Sequence, residues 1–301
     1  MSGGIVRSPR RPPGWIAPGP APAGAQGRAE LEPAADEDLC LLSGDWRIFQ
    51  KLRGHRWSLD DLVTAWVATR ALAGDRPWRA LDLGCGLGSV LLMVAWRLPR
   101  ADVTGIEAQD DRAAMGRRSI AWNGAADRCR IVDGDLREAP RVLAAAGVSG
   151  PFELITGTPP YFPRGTGTEP VHPHAAPCRF ELRGGVEDYL GTAAALLAPG
   201  GTITVCTSAL ERARVIEGAR ASGLARRARW EIVPREGKAA LVDVDVLARD
   251  DHGGDGGGDG DGAPRTPEVH TLVVRDRAGA WTPEFRAVRD AMGLPSTPPR
   301  G

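Results

Sequence analysis

The chain has 301 residues, 42% of them hydrophobic and 25% charged, which is enough to bury one substantial core. Its 38 basic and 38 acidic residues cancel, so a nucleic-acid interface has to be a local patch and not a global field. No basic segment is followed by an apolar leader, and no run reaches the roughly 18 apolar residues of a membrane span, so a cytoplasmic protein without a membrane partner is expected.

Residues 1–37 are built largely from Pro, Gly, Ala and Arg, as in RRPPG and APGPAPAG. Few large apolar side chains stand there to offset ordering entropy, so a disordered tail is expected, its arginines solvated or grazing a polyanion. The five cysteines (40, 85, 129, 178 and 206) are odd in number and scattered, unlike a disulfide framework. Residues 38–295 are expected to form one domain, opening with a lead-in segment over 38–77. Its stretch DWRIFQKLRGHRWSLDDLVTAWVATRAL offers a short basic hairpin or turn, then a helix from near Ser58 or Leu59 with Trp66 and Val67 on the packed face.

Short apolar runs then alternate with helical patterns. WRALDLG, ADVTGIEA, RCRIVDGD, PFELITG and GTITVCTS have strand length; SVLLMVAWRL, DDRAAMGRRSIAWNG, DYLGTAAALLAPG and SALERARVIEGARASG lie between and after them. This predicts an α/β fold, a doubly wound and mostly parallel seven-stranded sheet with helices on both faces. After Gly223 the pattern changes. KAALVDVDVLARD and EVHTLVVRDRAG alternate apolar and polar residues, and an antiparallel edge hairpin is expected, joined by a flexible acidic glycine loop over 250–266. That loop lacks the repetition by which calcium-binding glycine repeats fold.

Candidate site residues cluster at the predicted strand ends. LDLGCGLGS follows the first parallel strand and opens a helix, with Gly84 for the tight turn, Gly86 for close backbone approach and Gly88 for helix–strand packing. Asp82, just before the glycines, would repel a pyrophosphate and attract the cationic end of an amino acid. Glu107 ends the next strand, where it can accept from two ribose hydroxyls. Asp135 ends the third and can accept from an adenine amino group, with the Leu136 N–H facing a ring nitrogen. Together these describe a pocket for a nucleoside carrying an amino acid, and S-adenosylmethionine is such a molecule. In GTPPYF, Pro159 and Pro160 remove donors, leaving the turn's carbonyls to face an amine, while Thr158 adds a hydroxyl and Tyr161 an aromatic face. A plain turn closing a buried strand is the competing reading.

LDLGCGLG, IEAQ, DGDLRE and TPPY, in this order, resemble the motifs of class I methyltransferases that act on exocyclic or amide nitrogens. FQKLRGHRWSLDD, PPYF, CRFE and AWTPEFRAV are similar to one branch, the bacterial tRNA(Val) adenine-N6 methyltransferases, over residues 49–288. The resemblance implies S-adenosylmethionine as cofactor, with Asp60 ending the segment that closes over it, Glu107 and Ala108 at the ribose, and Asp135 and Leu136 at the adenine. It implies Thr158, Pro159 and Tyr161 as the target-amine site, with Pro160, Phe162, Arg179, Glu181 and Arg183 toward the substrate. One position departs: Thr158 stands where that family carries asparagine, which leaves open a protein glutamine, a cytosine N4, a small-molecule amine, or a non-catalytic nucleoside- or RNA-binding module.

Between the motif and CRFE, residues 163–178 read as a loop gating the substrate. His172, His174 and Cys178 lack a fourth ligand and are interrupted by prolines, so no structural metal is expected. The run ARRAR, 225–229, is either a second phosphate contact on the same rim or a charged surface without a partner. A monomer is expected.

Overall fold

The computed structural model describes residues 3–9, 11–54, 56–70, 72, 76–161, 184–250 and 266–296. The predicted parallel strands form β4 (Arg79–Leu83), β5 (Asp102–Glu107), β6 (Cys129–Asp133), β7 (Phe152–Gly157) and β8 (Leu197–Ser208). Three more follow, β9 (Leu224–Val233), β10 (Val242–Arg249) and β11 (Glu268–Val273). They make one eight-stranded sheet in the order β11-β9-β10-β8-β7-β4-β5-β6. Among the described strands only β10 runs against the rest, antiparallel to both β8 and β9.

Adjacent residues of each strand serve opposite layers, as the pleat requires. Ala80 and Val103 pack under α1 (Leu59–Arg70), α2 (Ser89–Arg97) and α3 (Asp110–Trp122). Leu81, Leu83 and Ile106 face α4 (Ala139–Ala145), α5 (Val186–Leu196) and α6 (Arg212–Ala221). A last helix, α7 (Pro283–Ala291), is capped by the Thr282 hydroxyl, which accepts from the Phe285 N–H. Helix α1 starts at Leu59 and buries Val67, with Trp66 partly buried beside it.

The edge differs from the predicted hairpin in two ways. Strand β10 pairs with β8 and β9, and β11 pairs with β9 in parallel, so the sheet gains an eighth strand. The reason lies in VDVDV. Its alternation turns Asp243 and Asp245 into the layer at 0% exposure, and they need cations. Strand β9 brings Arg229 opposite Asp245, whereas β11 offers none between Glu268 and Val273. The ARRAR run is therefore strand: Arg229 forks onto Asp245 at 2.9 and 3.0 Å and is not a phosphate contact on a free surface.

The N-terminal segment also departs from expectation. Strand β1 (Ile5–Val6) pairs in parallel with β2 (Glu37–Ser43), which pairs with β3 (Trp46–Lys51). Leu31 is 2% exposed, the Gly24 N–H donates to the Trp122 carbonyl, and Arg118 donates to the carbonyls of Glu30 and Glu32. Composition counts side-chain area only; here the chain's own backbone groups supply the anchors. Strand β3 docks on α3 through side chains, with the Phe49 N–H donating to Ser119 Oγ and the Arg47 N–H to Asn123 Oδ1. Of the acidic glycine loop expected over 250–266, residues 251–265 lie outside the described residues, as does 162–183.

Candidate active site

The glycine turn between β4 and α2 takes left-handed backbone at Gly84 (φ +60°), Gly86 (+57°) and Gly88 (+80°), which side chains resist. Gly84 also makes room for a neighbour: a Cβ there would stand 2.3 Å from the hydroxyl oxygen of Tyr189 on α5. The Gly86 N–H donates to Glu107 Oε2 and the Gln109 N–H to Oε1, both at 2.8 Å. The carboxylate is thus aimed by two backbone bonds, and each oxygen keeps a lone pair for a ligand hydroxyl.

Asp135 caps a short 3-10 turn and accepts from Arg137 at its N–H (3.0 Å), Nε (2.9 Å) and Nη2 (2.5 Å). Beyond β7, Thr158, Pro159, Pro160 and Tyr161 add to the wall. Expected as a stacking platform, Tyr161 is also a tether. Its ring packs on the core, its hydroxyl donates to Asp60 Oδ2 at 2.7 Å, and burial pushes the phenol well above its ordinary pKa. The start of α1 is thereby tied to the motif turn.

These residues share one cavity of about 780 Å³, within the range that encloses a cofactor-sized ligand. Asp60, Gly84, Glu107, Ala108, Asp135, Leu136 and the 158–161 turn line it. Asp82 does not. It lies beneath the floor at 3% exposure, accepting from Thr156 Oγ1 (2.7 Å) and the Leu91 N–H (3.2 Å). Burial raises its pKa to about 7, so it holds the floor to α2 and makes no direct contact with the cavity. Gly86 and Gly88 act from outside the lining, one by orienting Glu107 and the other by leading into α2. Asp61 accepts from Ser89 Oγ and the Ser58 N–H; burial, then the neighbouring Asp60, raise it to about 7.

Phe162, Arg179, Glu181 and Arg183 lie outside the described residues, with His172, His174 and Cys178. Among the described residues there is no group of three or more His, Cys, Asp or Glu side chains that could hold a metal, and no helix long and apolar enough to cross a membrane. The cavity also recruits Arg56, Gln109, Arg112, Tyr189, Ser208, Leu241 and Val242. Tyr189 carried a faint signal as the second of two tyrosines in the chain. Leu241 and Val242 carried none, because their place depends on β10 lying beside β8.

With its glycine turn, acidic strand ends and one reversed strand, the molecule has the Rossmann-like fold of class I methyltransferases. The crystal structure of a predicted O-methyltransferase from Agrobacterium tumefaciens superposes with a TM-score of 0.53 at 20% identity, over 78% of this chain and 98% of that one. No protein-family model matches.

Curated relatives match in part. The tRNA1(Val) (adenine(37)-N6)-methyltransferase of Porphyromonas gingivalis is 37% identical over 101 residues, 34% of this chain and 38% of that protein. The release factor glutamine methyltransferase of Chlorobaculum tepidum is 37% identical over 83 residues, 28% and 27% of the two chains. A 4-amino-L-phenylalanine/4-methylamino-L-phenylalanine methyltransferase of Streptomyces pristinaespiralis is 35% identical over 149 residues, 48% of each. The chain spans about half the length, or less, of these relatives.

Proposed function

We propose that this chain is an S-adenosylmethionine-dependent N-methyltransferase that methylates adenine N6 in tRNA or another structured RNA. The observation that carries the reading is the shared cavity, lined both by the Glu107 and Asp135 strand ends and by the Thr158-Pro159-Pro160-Tyr161 turn. The donor set suits the cofactor: carboxylates at Asp60, Glu107 and Asp135 suit hydroxyl and amino groups and a cationic ligand, and the apolar sides of Ile106 and Leu136 suit a base. S-adenosylmethionine supplies a methyl group on a sulfonium, open to in-line attack by a neutral amine.

The chain's own residues then do the positioning. Glu107 receives ribose hydroxyls and Asp135 the adenine amino group. The Thr158 hydroxyl and the Pro159 carbonyl accept the two hydrogens of the target amine, turning its lone pair toward the methyl. Such alignment by fixed acceptors needs no general base during transfer, and the methylated nitrogen would shed its extra proton to water afterwards. An RNA base has to leave its stack to enter, which favours a loop nucleotide. The catalytic unit is residues 38–295, acting in the cytoplasm.

A second reading has an observation of its own. Thr158 stands where the resemblance to the tRNA enzymes implies asparagine, and relatives of similar identity are named for glutamine and for an amino-phenylalanine. Labelled S-adenosylmethionine offered to separate pools of RNA, protein and metabolites decides between them: label in N6-methyladenosine of tRNA is expected, and label confined to protein or small molecules removes the RNA assignment. Thr158→Val is expected to lower turnover at least tenfold with cofactor affinity unchanged, measured by single-turnover transfer beside calorimetry.

A further inference from the structure

Among the described residues two arginines line the cavity, and they differ in what they hold. Arg56 is committed: its guanidinium donates to both carboxylate oxygens of the buried Asp38 (3.2 and 2.8 Å) and to the Lys51 carbonyl (3.0 Å). Arg112, at the third position of α3, is only 8% exposed. Among the described residues its side chain has neither a hydrogen-bond acceptor nor a carboxylate within ion-pair distance. The oxygens of its electrostatic neighbour Asp61 are occupied by Ser89 Oγ and the Ser58 N–H.

A guanidinium taken from water without an anion is costly, and a cation in the first turn of a helix faces the positive end of the dipole. Within the core this charge is met only through space by Asp61, and α3 gains nothing from it. An anion in the cavity supplies what both lack. Position narrows the choice of anion. A Cβ on Gly86 would stand 3.2 Å from Arg112 Nη1, and the Gly86 N–H is itself bonded to Glu107. Arg112 therefore stands beside the glycine turn, next to the backbone that aims the Glu107 carboxylate. A phosphate of a large RNA does not reach a side chain so deeply enclosed, whereas the amino-acid end of a small ligand does.

We infer that Arg112 is the carboxylate receptor of the site, its planar fork taking the α-carboxylate at the amino-acid end of the cosubstrate. The inference rests on the S-adenosylmethionine reading above and adds the residue that selects for the amino-acid end. The carboxylates lining the cavity fit a cation and hydroxyls; Arg112 supplies the one uncommitted positive group among the described residues there.

Calorimetry with S-adenosylmethionine and its decarboxylated form, which keeps the sulfonium and nucleoside, tests it on wild type, Arg112→Met, Arg112→Lys and Arg56→Met. Wild type is expected to prefer the carboxylated ligand by about 10- to 100-fold, the range of one charged hydrogen-bonded pair. Arg112→Met loses that preference while binding the decarboxylated form as wild type does, which also reports an intact fold, and Arg112→Lys keeps part of it. A wild type without preference, or Arg112→Met retaining it in full, overturns the assignment while leaving cofactor binding in place. Loss of the preference in Arg56→Met but not in Arg112→Met transfers the role and overturns it equally. Failure of wild type to bind S-adenosylmethionine at all sinks the methyltransferase reading, and this inference with it.

Discussion

Two groups of carboxylates are buried in or against this sheet, and they are kept in opposite ways. Under the glycine turn, Asp61 and Asp82 accept from hydroxyls and backbone N–H groups, and burial lifts both to about 7. At the edge, Asp243 and Asp245 are just as enclosed, yet Arg212 and Arg229 fork onto them. Burial is the largest influence on Asp245 and raises it, while Arg229 opposes that rise. Neutral donors thus hold a carboxylate in place near the cavity without adding positive charge there. At the edge, guanidinium forks instead fasten β10 to its neighbours, Arg229 from β9 and Arg212 from the start of α6.

The largest effect should come from breaking a fork. Arg229→Met leaves Asp245 buried without its bidentate partner and is expected to cost about 3–5 kcal/mol, read from the midpoint of denaturant unfolding. A loss below about 1 kcal/mol would mean that the edge arginines substitute for one another and that the contrast between the two groups is weaker than the geometry implies.

The floor carboxylates are tested by pH. Asp61 and Asp82 titrate near 7 when folded against 3.8 in the reference state. Between those values the unfolded chain releases protons that the folded one holds, so stability falls as pH rises from about 4 to about 7 and levels off above. Asp82→Asn keeps the shape, with the amide oxygen free for the Leu91 N–H and the amide nitrogen able to donate to Thr156. It is expected to remove part of that slope, on the order of 2–4 kcal/mol across the window. Unfolding curves at several pH values that keep the wild-type slope in this variant would place the titrating group elsewhere.

The smallest effect belongs to the tether across the cavity. Tyr161→Phe removes the donor to Asp60 and is expected to cost about 1–2 kcal/mol in thermal unfolding, while the ring keeps its packing. A fall in acceptor affinity far beyond this loss of stability would show that the hydroxyl also sets the approach of the target.

The motif residues were readable because local chemistry fixes them. A strand that ends in glycines with left-handed backbone opens a helix whatever surrounds it, and Glu107, Asp135 and the Pro-Pro turn lie at strand ends because period-two runs stop there. The sequence also determined the alternation of strands and helices, hence the parallel sheet and the shared location of its C-terminal ends. Asp82 shows where this reasoning stops: its place in the chain put it beside the glycines, but which face of β4 it takes put it under the floor.

Tertiary structure alone decided the edge and the rest of the cavity wall. Strand β9 was hidden by its arginines, since Arg226 and Arg229 look like surface until Asp243 and Asp245 turn up buried on the neighbouring strand. Tyr189 and Arg112 come from helices whose sequences announce only packing and charge, and they enter the cavity because α5 crosses beneath Gly84 and α3 starts beside Gly86. The N-terminal segment has too little apolar area to order itself, and it is fixed by backbone pairing with β2 and by Arg118 on α3. Periodicity and turn chemistry are properties of neighbouring residues, so a sequence displays them; a partner for a buried charge, or space beside a glycine, is supplied by residues distant in the chain, and only the folded molecule brings those together.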